Sequence, residues 1–401
     1  MGLSCRFTLL SFFLLSSAIY GVDIEEQDIQ SLRDWINSKR MITVRELGGQ
    51  LSISGDVHAE LQSTSATKNG QRQRGRGTGR PNNQYDVEFN LLVDYRTDRS
   101  WLAARLRFDN DAGLFGDVGS GRSDKIKLER AYWGYRLVDG ERHTMDIDVG
   151  RRGPMVGIFD SKLQFISNFD GVLFKDNYAV DNVGDLYYEI GVFVVNEKKD
   201  QGAFATELGI LNIANTGFYS KYSLIDWDTK RAKPCPKQFH FIISQLILGY
   251  KWIPQPFDRP VLIYMGGLYN HRARGIEITH GKKAAFGGYL GFSVGALKLA
   301  GDWSFDANYQ VLAAQCIPDF DVSGIGIGSE NTFYCLKGEP VTSKINAEGN
   351  VNYRGFELTF QYLISNNLNM FQQWKQSITL DDQIGPFRRY KQYEIDFIYS
   401  F

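Results

Sequence analysis

The chain has 401 residues and a formal net charge of −1, with 45 Lys and Arg against 46 Asp and Glu. This near balance argues against a nucleic-acid partner, which would require a basic surface. Aromatic residues make up 14% of the chain, and there are 41 Gly but only 10 Pro, a composition that favours many strands joined by turns. Beyond the N-terminal segment, no stretch reaches the roughly 18 apolar residues that a membrane helix needs.

The N-terminus has the pattern of a secretory signal peptide. Arg6 precedes an apolar run, Phe7–Leu15, and the small residues 16–18 follow it. A short transmembrane anchor is the alternative, but the run is too short to span a bilayer. We therefore predict that residues 1–21 are a signal peptide and that the chain is exported.

Residues 22–46 show helical spacing instead of alternation. Asp23 and Glu26 have the spacing of a helix-capping box. The apolar residues that recur at helical intervals are Ile29, Leu32 and Ile36. The pattern predicts a short periplasmic helix before a domain formed by residues 47–401. This helix could be a small trimerising coiled coil or a linker against the mouth of that domain, and a single short periodic stretch favours the linker.

The last nine residues have the clearest strand pattern in the chain. The residues at every second position are Tyr393, Ile395, Phe397, Tyr399 and Phe401, and most of the residues between them are polar. Because side chains alternate along a strand, one face of this segment is aromatic. In a membrane barrel such a face lies against lipid, and aromatic residues collect at the interfaces.

The same alternation marks sixteen candidate strands within residues 47–401. They are Gly49–Gln62, Gln84–Thr97, Trp101–Asp109, Ile126–Leu137, His143–Arg152, Gln164–Lys175, Asp185–Asn196, Phe204–Ala214, Gly217–Asp228, Phe239–Ile253, Pro260–His271, Ala284–Gly295, Leu297–Ala314, Val351–Ser365, Leu368–Ile378 and Phe387–Phe401. The connections alternate between short and long, and only Asp176–Gly184 fits this rule badly. Short turns at one end and long loops at the other are typical of a bacterial barrel with both termini in the periplasm.

These patterns predict an all-β fold, a transmembrane antiparallel β-barrel of about 16 strands. A soluble extracellular all-β protein is the structural alternative, but it has no reason to separate its connections by length. Together with the signal peptide and the terminal Phe401, the pattern resembles the Gram-negative outer-membrane porins of the general and substrate-selective types.

The resemblance implies a water-filled channel for passive diffusion of small polar solutes. It implies a homotrimer in the bacterial outer membrane, in contact with membrane lipids and lipopolysaccharide. It also implies that the barrel assembly machinery recognises the last strand with its terminal Phe401. No cofactor and no metal ion are expected.

In that family, the loop after the fifth strand folds inward and narrows the channel. The corresponding stretch here contains Arg151, Arg152, Asp160 and Lys162. It is shorter than the usual constriction loop of the family, which argues against strong narrowing.

Alternation also predicts the side chains that line the lumen. If Leu102 and Leu106 face lipid, then Arg105 and Arg107 face the lumen. This assignment is strongly constrained, because an Arg on the lipid face near the midplane costs about 2–4 kcal/mol. The predicted lining residues are Asp56, Glu88, Arg105, Arg107, Arg130, Arg136, Asp146, Asp148 and Arg152. The charged side chains favour a generic lining in which they pair along the lumen wall, and a polar solute filter is the alternative.

Three cysteines follow the signal peptide, all in predicted outer loops. Cys316 and Cys335 share one loop and could form a disulfide worth roughly 3 kcal/mol. Cys235 is then free or available for an intermolecular bridge. In having an odd cysteine available for cross-linking, the chain resembles the cross-linked outer-membrane proteins of chlamydia-type envelopes.

Two other functions compete with the channel. The basic loop Gln71–Arg80 and the Cys-bearing loops support a surface adhesin or a structural envelope barrel. A barrel enzyme is suggested by Gly291–Gly295, which matches the nucleophile-elbow pattern, but that motif needs a strand followed by a helix. Gly324–Gly328 lacks the strand and helix of a dinucleotide site. We therefore predict a diffusion channel and no enzymatic activity.

Overall fold

The computed structural model describes residues 44–46, 49–73, 83–111, 126–152, 160–164, 169–196, 201–227, 241–255, 257–275, 279–318, 321–323, 325, 335–336, 339–340, 351–384 and 386–401. The signal peptide and the helix predicted within residues 22–46 lie outside this part, so both stay predictions. Only Val44–Glu46, at the end of that segment, is described, and it forms a short strand. Within the described part, no helix is long and apolar enough to cross a membrane.

Sixteen strands form the body of the molecule. They are β1 Gly49–Lys68, β2 Asn83–Arg96, β3 Ser100–Asp111, β4 Ile126–Asp139, β5 His143–Arg152, β6 Phe169–Val180, β7 Gly184–Asn196, β8 Gln201–Ile213, β9 Phe218–Trp227, β10 Phe241–Trp252, β11 Val261–Asn270, β12 Phe286–Gly295, β13 Trp303–Leu312, β14 Tyr353–Ser365, β15 Leu368–Thr379 and β16 Arg388–Ser400. Two three-residue strands, Val44–Glu46 and Gln71–Gln73, pair with β1. Cys335–Leu336 and Glu339–Pro340 form a separate pair.

The sheet closes on itself because the last strand pairs with the first. Consecutive strands are antiparallel neighbours, and β16 pairs with β1 from Asp56 opposite Ser400 to Lys68 opposite Arg388. The single large sheet has 18 strands, two of which are the three-residue strands, and this leaves sixteen in the barrel. The prediction of a closed all-β antiparallel barrel of sixteen strands is confirmed.

The barrel has a turn end and a loop end. The turn end carries Phe401 and the connections 97–99, 140–142, 181–183, 214–217, 253–260, 296–302 and 366–367. The loop end carries the connections 69–82, 112–125, 153–168, 197–200, 228–240, 271–285, 313–352 and 380–387. Most connections at the loop end are longer, as the sequence pattern predicts.

The predicted position of the sixth strand is wrong. The strand lies at Phe169–Val180 and not at Gln164–Lys175, so the tight turn 181–183 replaces the middling link Asp176–Gly184. The charge of Asp176 concealed the continuation of the strand. Its backbone nevertheless pairs with Met145 of β5, which keeps this residue in the sheet.

The thirteenth strand is shorter than predicted. It begins at Trp303 and ends at Leu312, whereas alternation extended it over Leu297–Ala314. The carboxylate of Asp302 accepts hydrogen bonds from the backbone N–H groups of Lys298 and Leu299, at 3.0 and 2.7 Å. These bonds hold the preceding residues in a turn.

The outer and inner faces of the barrel differ in polarity. Large apolar side chains are exposed on the outer face, among them Leu102, Trp133, Leu246, Leu290, Phe292 and Phe397. Polar side chains are buried on the inner face, among them Asp56, Asn90, Asp148, Glu207, Gln245 and Asn308. A barrel that is apolar outside and polar inside suits a lipid surround and a wet interior.

One side of the interior is nevertheless a packed apolar core. Strand β10 carries apolar side chains on both faces, with Ile243 and Ile247 buried inside and Leu246 exposed outside. Inward side chains between β6 and β14 pack against apolar residues of two connections. These connection residues are Leu163 after β5 and Cys316, Ile317, Val322 and Ile325 after β13. The charged side chains of β1–β5 lie on the other side.

Deleting Phe401 is expected to reduce the yield of assembled barrel. Its backbone exchanges two hydrogen bonds with Gly55 of β1, at 2.9 and 3.1 Å, and its ring stacks on Phe89 with centroids 6.2 Å apart. Gly55 suits this contact because a Cβ there would lie 2.6 Å from the Phe401 ring. Heat-modifiable gel mobility measures the assembled fraction, and Phe401→Tyr is the control. Normal levels of assembled barrel after the deletion would contradict this expectation.

Candidate functional site

The first charged group on the inner face joins β2, β3 and β4. Glu88 accepts from Arg107 at close range and lies 3.7 Å from a terminal nitrogen of Arg105. Glu129 lies 2.9 Å from Nε of Arg105 and 3.8 Å from Arg107. Two arginines and two carboxylates therefore neutralise one another on the wall.

Glu129 reaches this group through a β-bulge. Arg105 pairs with Arg130, but Leu106 pairs with Leu128, so Glu129 has no partner opposite it. The extra residue turns Glu129 toward the same face as Arg130. Strict alternation puts Glu129 on the outer face and misses it. The sequence feature that favours an inward Glu129 is the free-energy cost of placing its carboxylate against lipid.

A second group crosses the seam where the barrel closes. The ring nitrogens of His58 lie 2.6 Å from Asp56 and 2.7 Å from Asp396 of β16. Ionised carboxylates only accept hydrogen bonds, so both ring nitrogens must donate, and His58 acts here as a cation. Asn90 donates to Asp56 and to Glu88, each at 2.7 Å, and links the two groups. Neither His58 nor Asp396 was among the predicted lining residues.

A third group centres on Asp148, which is 2% exposed. It accepts a hydrogen bond from Nε1 of Trp101 at 2.9 Å, bonds closely with Arg152 and lies 3.5 Å from Nζ of Lys175. The guanidinium of Arg152 also stacks over the ring of Tyr132, 4.5 Å from its centroid.

Arg136 and Asp146 form a fourth pair, 3.0 Å apart, nearer the turn end. The structure thus places the predicted residues in four connected or neighbouring groups on β1–β5. Arg130 is different, because no ion pair joins it to any described residue.

The connection after β5 crosses to the opposite wall. The backbone oxygen of Asp160 accepts a hydrogen bond from Gln245 of β10 at 2.8 Å, and its carboxylate lies 3.6 Å from Lys221 of β9. Nζ of Lys162 lies 3.3 Å from Asp306 of β13 and 5.2 Å from the ring centre of Tyr264. Residues 160–164 are therefore held across the interior.

Lys162 stays charged in this position. Burial alone would lower its pKa, but attraction by Asp306, Glu357 and Asp160 raises the pKa above its ordinary value. The structure places both Asp160 and Lys162 inside the barrel, against strands β9 and β13. Arg151 lies elsewhere, because it pairs with Asp170 on the outer face at the end of β5.

Leu163 joins this segment to the connection after β13. Its side chain is fully buried, and its backbone oxygen accepts a hydrogen bond from the N–H of Ser323 at 2.9 Å. Gln164 lies beside it and donates to Gln245 at 3.4 Å. We call residues 160–164 together with 313–318 and 321–323 the inner plug.

Cys316 belongs to the inner plug and is fully buried. Its thiol forms no disulfide with any described residue, and burial raises the pKa of the thiol. Cys235 and the side chain of Cys335 lie outside the described residues. The predicted bridge between Cys316 and Cys335 therefore stays a prediction.

The enzyme-like string Gly291–Gly295 lies inside a strand. Ser293 pairs with Leu262 of β11 and Asp306 of β13, so no strand-to-helix turn presents its hydroxyl. Most of Gly324–Gly328 lies outside the described residues. In the described part of the chain, no group of three or more His, Cys, Asp or Glu side chains is arranged to hold a metal ion.

Comparisons with known proteins bear on the fold. No family model matches the sequence, and a search of curated proteins finds no relative. Salmonella typhi OmpF, solved as a complex with daunomycin, aligns over 90% of this chain and 100% of its own, with 11% identity and a TM-score of 0.51. A high-pH structure of Pseudomonas putida OprB aligns over 88% of this chain and 94% of its own, with 10% identity and a TM-score of 0.52. The chain shares its fold with bacterial outer-membrane porins.

Proposed function

We propose that the protein is an outer-membrane porin, a water-filled channel through which small polar solutes diffuse passively. The observation that carries this proposal is the charged inner face of β1–β5, set inside a closed sixteen-stranded barrel with an apolar outer face. Barrels of this strand number are wide enough to leave an aqueous path. A soluble protein would have to cover the apolar outer face, and lipid covers it without further partners.

The proposal includes an orientation and an assembly. The turn end and both termini lie in the periplasm, and the loop end faces outward, toward lipopolysaccharide. The barrel assembles as a homotrimer in the outer membrane after the assembly machinery recognises the strand that ends at Phe401. These parts rest on the pattern of the connections and on the resemblance to porins.

The path for solutes runs along β1–β5 and not through the centre of the barrel. The inner plug and the apolar core occupy the side between β6 and β14, where Leu163 and Ile243 are fully buried. Solutes that pass must therefore move beside the charged groups around Glu88 and Asp148. A transverse field from opposed charges orders water there and disfavours apolar solutes.

Swelling of proteoliposomes tests this function directly. Vesicles that contain the refolded barrel should swell in isotonic solutions of small uncharged sugars, at rates that fall as the sugar becomes larger. Vesicles with heat-denatured protein are the control. Equal swelling rates with and without folded barrel would refute the proposal.

Arg105 and Arg107 are expected to set the charge preference of this path. Replacing both with Ala leaves Glu88 and Glu129 without their partners, so the ratio of anion to cation permeability should fall. The control is Arg99→Ala with Arg142→Ala, which removes the same charge from two exposed residues of the turn end. Reversal potentials in a salt gradient measure the ratio, and an unchanged ratio in the Arg105 and Arg107 variant would exclude them as filter residues.

A further inference from the structure

We infer that the inner wall contains a binding site for a small anionic group, a phosphate or a carboxylate, and that Arg130 is its direct ligand. The inference rests on the proposed channel, because it names the class of solute that the path along β1–β5 would hold. It can fail while the channel stands.

Three arginines lie side by side at this site, on three neighbouring strands. Arg130 of β4 is directly opposite Arg105 of β3 in the strand register. Ala131 lies opposite Arg151 of β5, which places Arg152 beside Arg130 on its other flank. Side chains directly opposite one another have Cβ atoms about 4.5–5.5 Å apart, and like charges at that spacing repel.

The partners of the three arginines are unequal. Arg105 is paired with Glu88 and Glu129, and Arg152 is paired with Asp148. Arg130 forms no ion pair with a described residue, and its Nε has no hydrogen-bond acceptor among them. The only guanidinium without a carboxylate partner, within the described part of this row, is the central one.

This arrangement has an electrostatic consequence. The carboxylates on each side neutralise Arg105 and Arg152, whereas Arg130 is attracted only by the more distant Asp94 and by Tyr132, so the positive charge is least compensated at Arg130. An unpaired charge that is largely removed from water is costly unless a partner is supplied. A bound anion would supply that partner and would relieve the repulsion among the three arginines.

The chemistry of the side chain favours a planar or multidentate anion. The guanidinium offers its donors in a fixed fork, which matches two oxygens of a carboxylate or phosphate. Beside Arg152 the wall also contains a narrow recess with room for about one water molecule, with Gly150, Gly171 and Gly191 in its lining and Phe169 and Phe193 at its sides.

Equilibrium binding to the detergent-solubilised, folded barrel tests the inference without requiring conduction. Inorganic phosphate and butyrate are titrated separately, and binding is followed by line broadening of the anion's NMR signal. The anion that binds more tightly is called the preferred anion. Arg130→Gln should weaken its binding by about tenfold, because one charge-assisted contact is lost. Arg142→Gln removes an equal charge from an exposed turn and should leave binding unchanged.

A second measurement separates this site from the channel itself. In planar bilayers, the preferred anion should interrupt the chloride current of the native protein and of Arg142→Gln, but not that of Arg130→Gln. A channel that conducts and is not blocked, together with no binding of either anion, overturns the inference and leaves the channel intact. A barrel that binds anions through Arg130 but never conducts overturns the channel and keeps the site.

Folding of the variant is not expected to limit the test. Arg130→Gln removes an unpaired cation, so the assembled fraction should equal that of the native chain. If it does not assemble, Arg130→Lys keeps the charge but loses the fork, and it should show intermediate binding of both anions. Binding by Arg130→Lys or Arg130→Gln that equals native binding would overturn the assignment.

Discussion

Replacing Leu246 with Arg is expected to destabilise the folded barrel by about 2–4 kcal/mol, or to prevent its insertion into lipid. Leu246 lies midway along β10, on the outer face, and 46% of its surface is exposed. If lipid covers this face, the new guanidinium has neither water nor a partner there. Urea titration of the barrel folded in lipid vesicles measures the loss.

The matched control adds the same charge on the inner face. Gln373 of β15 contacts Thr359 across the strands, on the side opposite Trp374, which is exposed. Gln373→Arg should fold in vesicles with nearly native stability, because a wet lumen hydrates the added charge. Equal losses for the two variants, or no loss for Leu246→Arg, would contradict a lipid-facing outer wall.

Replacing Leu163 with Glu is expected to release the inner plug. Leu163 is fully buried, and even truncation of such a residue to Ala costs about 2–5 kcal/mol. A carboxylate at this place is less favourable still, because it would be desolvated without a partner. The segment should leave the wall, so that single-channel conductance rises and the path is no longer confined to β1–β5.

Cys316 provides an internal reporter for this release. Its Sγ atom and a methyl group of Leu163 both lie over Gly287, within 2.9 and 3.3 Å of where a Cβ would be. With Cys235 and Cys335 replaced by Ser, a charged thiol reagent should leave Cys316 unlabelled in the parent and label it in Leu163→Glu. Leu163→Met is the control, because the Met side chain is apolar and has nearly the same volume as Leu. Full labelling of Cys316 in the parent would show that the plug is not closed.

Most of the fold could be predicted from alternation. A strand that is apolar on one face and polar on the other leaves a strong period-two pattern, as in the segment that ends at Phe401. The errors came where local chemistry overrides that pattern. Asp176 is charged but stays in β6, and Asp302 bonds to the preceding backbone and shortens β13.

Less of the candidate site could be predicted. Alternation predicts which charged side chains of β3–β5 point inward. It does not predict their ion-pair partners, several of which lie on neighbouring strands. The bulge at Glu129 inserts one residue and changes the face of the residues before it, which no fixed period describes. The contact between His58 and Asp396 joins the two ends of the chain, so it depends on where the barrel closes.

The inner plug could be predicted only in part. The resemblance to porins predicts that the segment with Asp160 and Lys162 folds inward. The sequence does not show that their partners lie on β9 and β13. The apolar run of β10 was visible. Alternation does not tell which face of β10 is the outer one and which packs on Leu163, because both faces carry apolar side chains.

Conductance of the refolded protein in planar lipid bilayers shows whether the barrel is an open channel. A diffusion channel predicts discrete current steps of uniform size that appear on insertion, persist over a wide range of voltage and increase with salt concentration. Barrel that inserts into lipid, as shown by its heat-modifiable gel mobility, and yet passes no ionic current would rule out a diffusion channel.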